Sequence, residues 1–262
     1  MLMAAASLAL SACASVTNPP GPTPAVKIVR DGSAPGFDKR DFPGLGPMQT
    51  WMRESPYVWV GYYLQSPCYA GAAWTGNRAA LEAQGWGLAV LYVGQQAPGA
   101  AATSSVAAGP DCGIKPLSLE QGGIDGDQAV AIAKADGFPA GATIFLDVER
   151  SDPLPQALAD NARGWITRVL SRGYIAGVYG HKLNADVLSQ IQRAAFTQAG
   201  VAATPPFWVA NSLGFELGKT PAQSGYSFAT IWQTPSDASE TWGGVTFRID
   251  RNVATKANPS RP

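Results

Sequence analysis

The chain has 262 residues but a single histidine, His181, and only three cysteines, Cys13, Cys68 and Cys112. With one imidazole available, a zinc site has few of its usual ligands to draw on, and no metal or other cofactor is expected. Charge is scarce as well. Charged residues make up 15% of the chain, and Lys+Arg and Asp+Glu both number 19. The basic excess of a nucleic-acid-binding surface is therefore missing, and nucleic acid is not an expected partner. No G-x-G-x-x-G follows the first strand-like segment, against a dinucleotide-binding sheet, and no internal repeat is visible. What the chain has is hydrophobic material, 46% of its residues, with eight Trp and eight Tyr. That is ample for one large core.

The N-terminal run "MLMAAASLALSAC" is too short to span a bilayer, and no Lys or Arg precedes it. Its closing Leu10-Ser11-Ala12-Cys13 resembles the lipobox of bacterial lipoproteins, in which the cysteine becomes the lipidated new N-terminus. The resemblance implies a signal peptide over residues 1–12. Residues 13–25, with "ASVTNPPGPTPA", then form a Pro-rich extended tether, and 26–262 the folded domain. The expected location is the bacterial cell envelope, exported and membrane-anchored through the lipid on Cys13 alone, as a monomer. Setting Cys13 aside leaves Cys68 and Cys112. In an oxidising compartment a bridge between them is the leading reading, with two buried free thiols as the alternative. Both lie in loops expected at one face, after adjacent strands.

Beyond the tether, strand-like and helix-like segments alternate. Strands are expected at 35–40, 57–64, 87–95, 142–149, 174–181, 206–212, 228–234 and 245–252. Helices are expected at 48–55, 77–85, 125–137, 154–173 and 184–200. Residues 96–122, 213–227 and 235–244 give no clear helix. Alternation of this kind predicts a parallel sheet with right-handed crossovers. Eight strands in this length predict a closed (β/α)8 barrel of α/β class, a TIM-type single domain, with an open doubly wound sheet as the runner-up.

In such a barrel the chemistry lies at the C-terminal strand ends. Asp38 ends the first strand, Asp147 and Glu149 the fourth, and Asp250 the eighth. Side chains alternate along a strand, so Thr143, Phe145, Asp147 and Glu149 share one face, while Ile144, Leu146 and Val148 pack on the helices. Arg248, Asp250 and Asn252 share a face by the same rule. Carboxyl groups crowded into a partly dry crevice cannot all ionise, so at least one should hold a proton. That is the requirement of glycoside hydrolysis. Solvated acids capping loops are the plainer alternative.

The ordered motifs "GFD", "FLDVE", "GVYG", "WVA", "IWQ" and "IDRN" resemble the family 25 glycoside hydrolases, the barrel lysozymes that cut peptidoglycan. They resemble still more the glycoside-hydrolase-like domain of unknown function 1906. The resemblance implies Glu149 as general acid and Asp147 as its charged partner. It implies Asp38 and Asp250 positioning the sugar, Tyr179 touching substrate, and Trp208, Trp232 and Gln233 lining the cleft. The second and third strands, and "GFDKRDFPG" after its Asp, depart from the family 25 pattern. His181 is as readily a hydrogen-bonded bystander as a substrate contact, Gln65 is a plausible polar contact, and Arg248 joins the substrate-binding set. Both tryptophans serve equally well as packing. The expected function is an envelope glycoside hydrolase acting on peptidoglycan or a related polysaccharide. A non-catalytic carbohydrate-binding barrel is the alternative, and a carboxylate-bound metal hydrolase the third reading.

Overall fold

The computed structural model describes residues 27, 29–97, 112–149 and 153–262. The expected lipidation site Cys13, the expected signal peptide 1–12 and the expected tether 13–25 lie outside the described residues. The strands are β1 Ala34–Asp38, β2 Trp59–Leu64, β3 Gly87–Val93, β4 Thr143–Val148, β5 Ile175–His181, β6 Phe207–Ala210, β7 Ile231–Trp242 and β8 Val245–Ala254. They close in that order into one barrel. The helices are α1 Leu45–Glu54, α2 Arg78–Gln84, α3 Leu119–Ala135, α4 Gln156–Ser171 and α5 Ala185–Ala199.

The wholly parallel sheet expected from the alternation needs correction at its last strand. β1 to β7 run parallel to one another, but β8 is antiparallel to both β7 and β1. Residues 235–244 form no crossover helix. They extend β7 into a hairpin whose two-residue turn is Gly243-Gly244, at φ 57° and 78°. Two consecutive left-handed residues match the twist of a tight hairpin, and glycine adopts them without strain. α3 also begins earlier than expected, at Leu119, because the Ser118 hydroxyl accepts from Gln121 N and caps it.

Side-chain alternation fills the barrel by pairing glycines with large neighbours. A Cβ at Gly36 would lie 2.0 Å from the Trp59 indole, and one at Gly177 2.4 Å from the Phe145 ring. Trp208 stands edge-on to Trp59, Phe145 and Tyr179, with centroids 5.6–5.7 Å apart. This plug of rings closes the barrel below and leaves its upper end to polar groups.

Candidate active site

A cavity of about 710 Å³ opens at the upper end of the barrel, lined by Asp38, Asp147, Glu149, Asp250, Tyr179, Trp208, Gln233 and Arg248 among others. The structure thus brings together the four acids picked out from the sequence. β8 contributes by an unexpected route. Running downward, it places Asp250 beside Asp38 in the β1–β8 ladder, so the mouth-side part of β8 is its N-terminal half. Cys68 and Cys112 are bridged, with Cα atoms 4.5 Å apart, and both line the cavity wall.

Asp38 is buried and held by three donors. The Tyr63 hydroxyl donates to Oδ1 at 2.8 Å, while Gln233 Nε2 and Asn252 Nδ2 donate to Oδ2 at 2.7 and 2.8 Å. Behind these, the Tyr179 hydroxyl donates to Gln233 Oε1 and Trp208 Nε1 to Asn252 Oδ1, each at 2.9 Å. Burial, reinforced by the charge of Asp250, pushes the Asp38 carboxyl up to about 7 against the opposing pull of its three donors. Gly61 makes the room: a Cβ there would stand 2.7 Å from Asp38 Cβ. Asn252, which alternation puts on the face of Asp250, thus joins the site, and so does Tyr63, which the sequence does not single out.

Asp147 departs from expectation. It is 7% exposed, and its Oδ1 has no hydrogen-bond partner among the described residues. Burial first, then the charges of Glu149 and Asp38, raise its carboxyl well above the ordinary range, with Arg40 pulling the other way. The sequence implies Asp147 as the charged partner of Glu149; burial of the deeper residue of the pair raises its proton affinity instead. Glu149 lies just past the end of β4, partly exposed, with its backbone N–H donated to Gln96 Oε1 at 2.9 Å.

Asp250 has a structural duty as well, since its Oδ1 accepts from the backbone N–H groups of Ser236 and Asp237 at 2.7 and 2.8 Å. These bonds hold the bulge in β7 between Thr234 and Ala238. Arg248 is exposed on the rim and pairs with Asp237. Trp208 lines the cavity floor but is itself fully buried, so packing dominates its role. Three expected contacts lie elsewhere. Trp232 alternates with the inward Gln233, so its indole points out of the barrel, donates to Asn211 O at 2.6 Å and packs on Phe215. Gln65 follows the end of β2 and is exposed to solvent, away from the cavity lining. His181 ends β5 and does not line the cavity; its Nδ1 accepts from Leu183 N at 3.4 Å in the turn leading to α5.

Sequence and structure comparisons agree with this fold. The profile of the family described as "Rv2525c-like, glycoside hydrolase-like domain" matches residues 49–254. No curated protein matches the chain. Among solved structures, the Clostridium perfringens spore cortex lytic enzyme SleM is similar at 13% identity and TM-score 0.58, over 90% of this chain and 71% of SleM. An uncharacterized B. stearothermophilus protein is similar at 17% identity and TM-score 0.55, over 84% of this chain and 95% of that one.

Proposed function

Because the chain belongs to the Rv2525c-like, glycoside hydrolase-like family, we propose that it hydrolyses glycosidic bonds of peptidoglycan or a related envelope polysaccharide. The observation that carries this reading is the paired acids of the β4 end. A buried carboxyl whose proton affinity is raised, Asp147, lies beside a more exposed one, Glu149, in the same cavity wall. Glu149, nearer the opening, takes up the proton shared across the pair and passes it to the departing glycosidic oxygen, while Asp147 keeps the remaining charge in the wall. The N-acetyl oxygen of the substrate bonds to the anomeric carbon as the glycosidic bond breaks; water then displaces that oxygen and returns a proton to Glu149. Asp250 and Asp38 face the positive charge that develops on the sugar ring. Both oxygens of Asp38 already accept hydrogen bonds, which favours an N-acetyl group of the substrate over Asp38 as nucleophile. SleM is a spore cortex lytic enzyme, and the shared barrel fold, together with the acids that line the cavity of this chain, supports cell-wall glycan as the substrate class. The Cys68–Cys112 bridge supports an exported, oxidising location, where a lipid on Cys13 would tether a monomer to the membrane.

The test is incubation of the purified protein with isolated cell-wall glycan, with released fragments read by mass spectrometry. Wild type is expected to release sugar fragments and Glu149→Gln none, while Glu149→Gln still binds the glycan. Binding without release by either protein would replace the enzyme with a carbohydrate-binding barrel. Release by Glu149→Gln at the wild-type rate would remove Glu149 from the acid role.

A further inference from the structure

The β3–β4 ladder ends at the pair Val93 and Asp147, short of Glu149. Beyond that pair, the carbonyl of Asp147 and the N–H of Glu149 both need partners, and β3 no longer runs beside them. In a parallel ladder these two groups, flanking Val148, would be met by the N–H and C=O of one residue on the neighbouring strand. Here the side-chain amide of Gln96 meets them. Its Nε2 donates to Asp147 O at 2.9 Å and its Oε1 accepts from Glu149 N at 2.9 Å. A further bond from Nε2 to Gly94 O, at 3.2 Å, fixes the amide itself. Gln96 is 2% exposed and lines the cavity, so water cannot easily take over either bond.

We propose that Gln96 is a positioning residue for the Asp147–Glu149 pair: its primary amide stands in for a missing β3 peptide and keeps the end of β4 extended. Only in that extended form do Asp147 and Glu149, two residues apart, project from the same face into the cavity. Among the common neutral side chains of this reach, glutamine alone carries one donor and one acceptor in a fixed planar arrangement like that of a peptide. The catalytic consequence rests on the glycosidase reading above; the positional one does not.

The test is Gln96→Met, which keeps the volume and loses both bonds, measured three ways. Hydrogen exchange by NMR should show the Glu149 amide protected in wild type and unprotected in the variant, with amides lower in β4 unchanged. The titration of the Asp147 carboxyl, followed by NMR, should shift once its wall is loosened. On a glycan substrate kcat should fall by about 10- to 100-fold at nearly constant KM, the cost expected of a small misplacement of a reacting group. A merely structural role would lower the melting temperature and leave the Asp147 titration and the kcat-to-KM split alone, and that result overturns the proposal. So does equal protection of the Glu149 amide in both proteins. If wild type turns over no glycan, the glycosidase reading falls, while exchange and titration still decide the role of Gln96. Should Gln96→Met fail to fold, Gln96→Asn, which keeps the amide but falls short by one methylene, is judged by the same readouts.

Discussion

Replacing Asp38 by Asn tests the reading of the barrel floor through pH rather than through activity. The folded protein holds the Asp38 proton with a pKa of about 7, against 3.8 for the ordinary carboxyl. At about 1.4 kcal/mol per tenfold change in proton affinity, the gap corresponds to about 4 kcal/mol. The raised pKa means that the folded state binds this proton more tightly than the unfolded chain. Stability from this group is therefore fully present below about pH 4, declines as the pH rises, and is lost by about pH 7, beyond which the curve is flat. Asparagine cannot ionise, yet it fits the bonding. Its oxygen can accept from Gln233 and Asn252, and its amide can donate to the Tyr63 hydroxyl, which turns from donor to acceptor. Denaturant unfolding of wild type and Asp38→Asn, disulfide intact, across pH 4 to 8 gives the difference curve. The variant should gain on wild type by up to about 4 kcal/mol between the ends of that range. Parallel curves for the two proteins would show that Asp38 ionises freely, and the account of a dry, proton-holding floor would be wrong.

Asp147→Asn should behave similarly, raising the thermal midpoint relative to wild type at pH 8 but not at pH 4, because burial raises that carboxyl too. Reducing the Cys68–Cys112 bridge, whose partners are 44 residues apart, should lower unfolding stability by up to about 4 kcal/mol in the chain-entropy picture, read by denaturation with and without reductant. Labelling of both thiols in denatured, unreduced protein would show that no bridge forms. Gly36→Ala should destabilise by about 1–3 kcal/mol or more, since its methyl would meet the Trp59 indole inside the barrel; an unchanged melting temperature would contradict the packing described here.

The barrel was readable because its strands carry two independent signals, β-branched or aromatic content and helices between them, and because eight such segments leave few ways to close. The exception was β8. The segment 235–244 lacks a helix pattern, and its Gly243-Gly244 pair is a hairpin signal that alternation of strand and helix overrides when read at the level of the whole chain. Direction matters physically: an antiparallel β8 brings its upper half and the long arm of β7 over the mouth, so Arg248 and Asp237 meet on the rim instead of at opposite ends of a crossover.

The site shows where side-chain alternation informs and where it stops. Alternation assigns a face, so Asp147 and Asp250 turn inward on their strands, and the same rule sends Trp232, next to the inward Gln233, outward. It does not say where a strand ends: Gln65 has the inward phase of Tyr63, but β2 stops at Leu64 and Gln65 is left in solvent. Nor does it give charge state, which depends on depth and partners. Asp147 and Glu149 look equivalent along the chain, two acids two residues apart, yet the deeper one is buried and its proton affinity raised while the other faces the opening. Gln96 is the limiting case. Its function comes from a peptide that β3 fails to supply, and a missing ladder rung leaves no mark in the pattern of residues. Only the folded geometry shows that the amide of Gln96 stands where a backbone would have been.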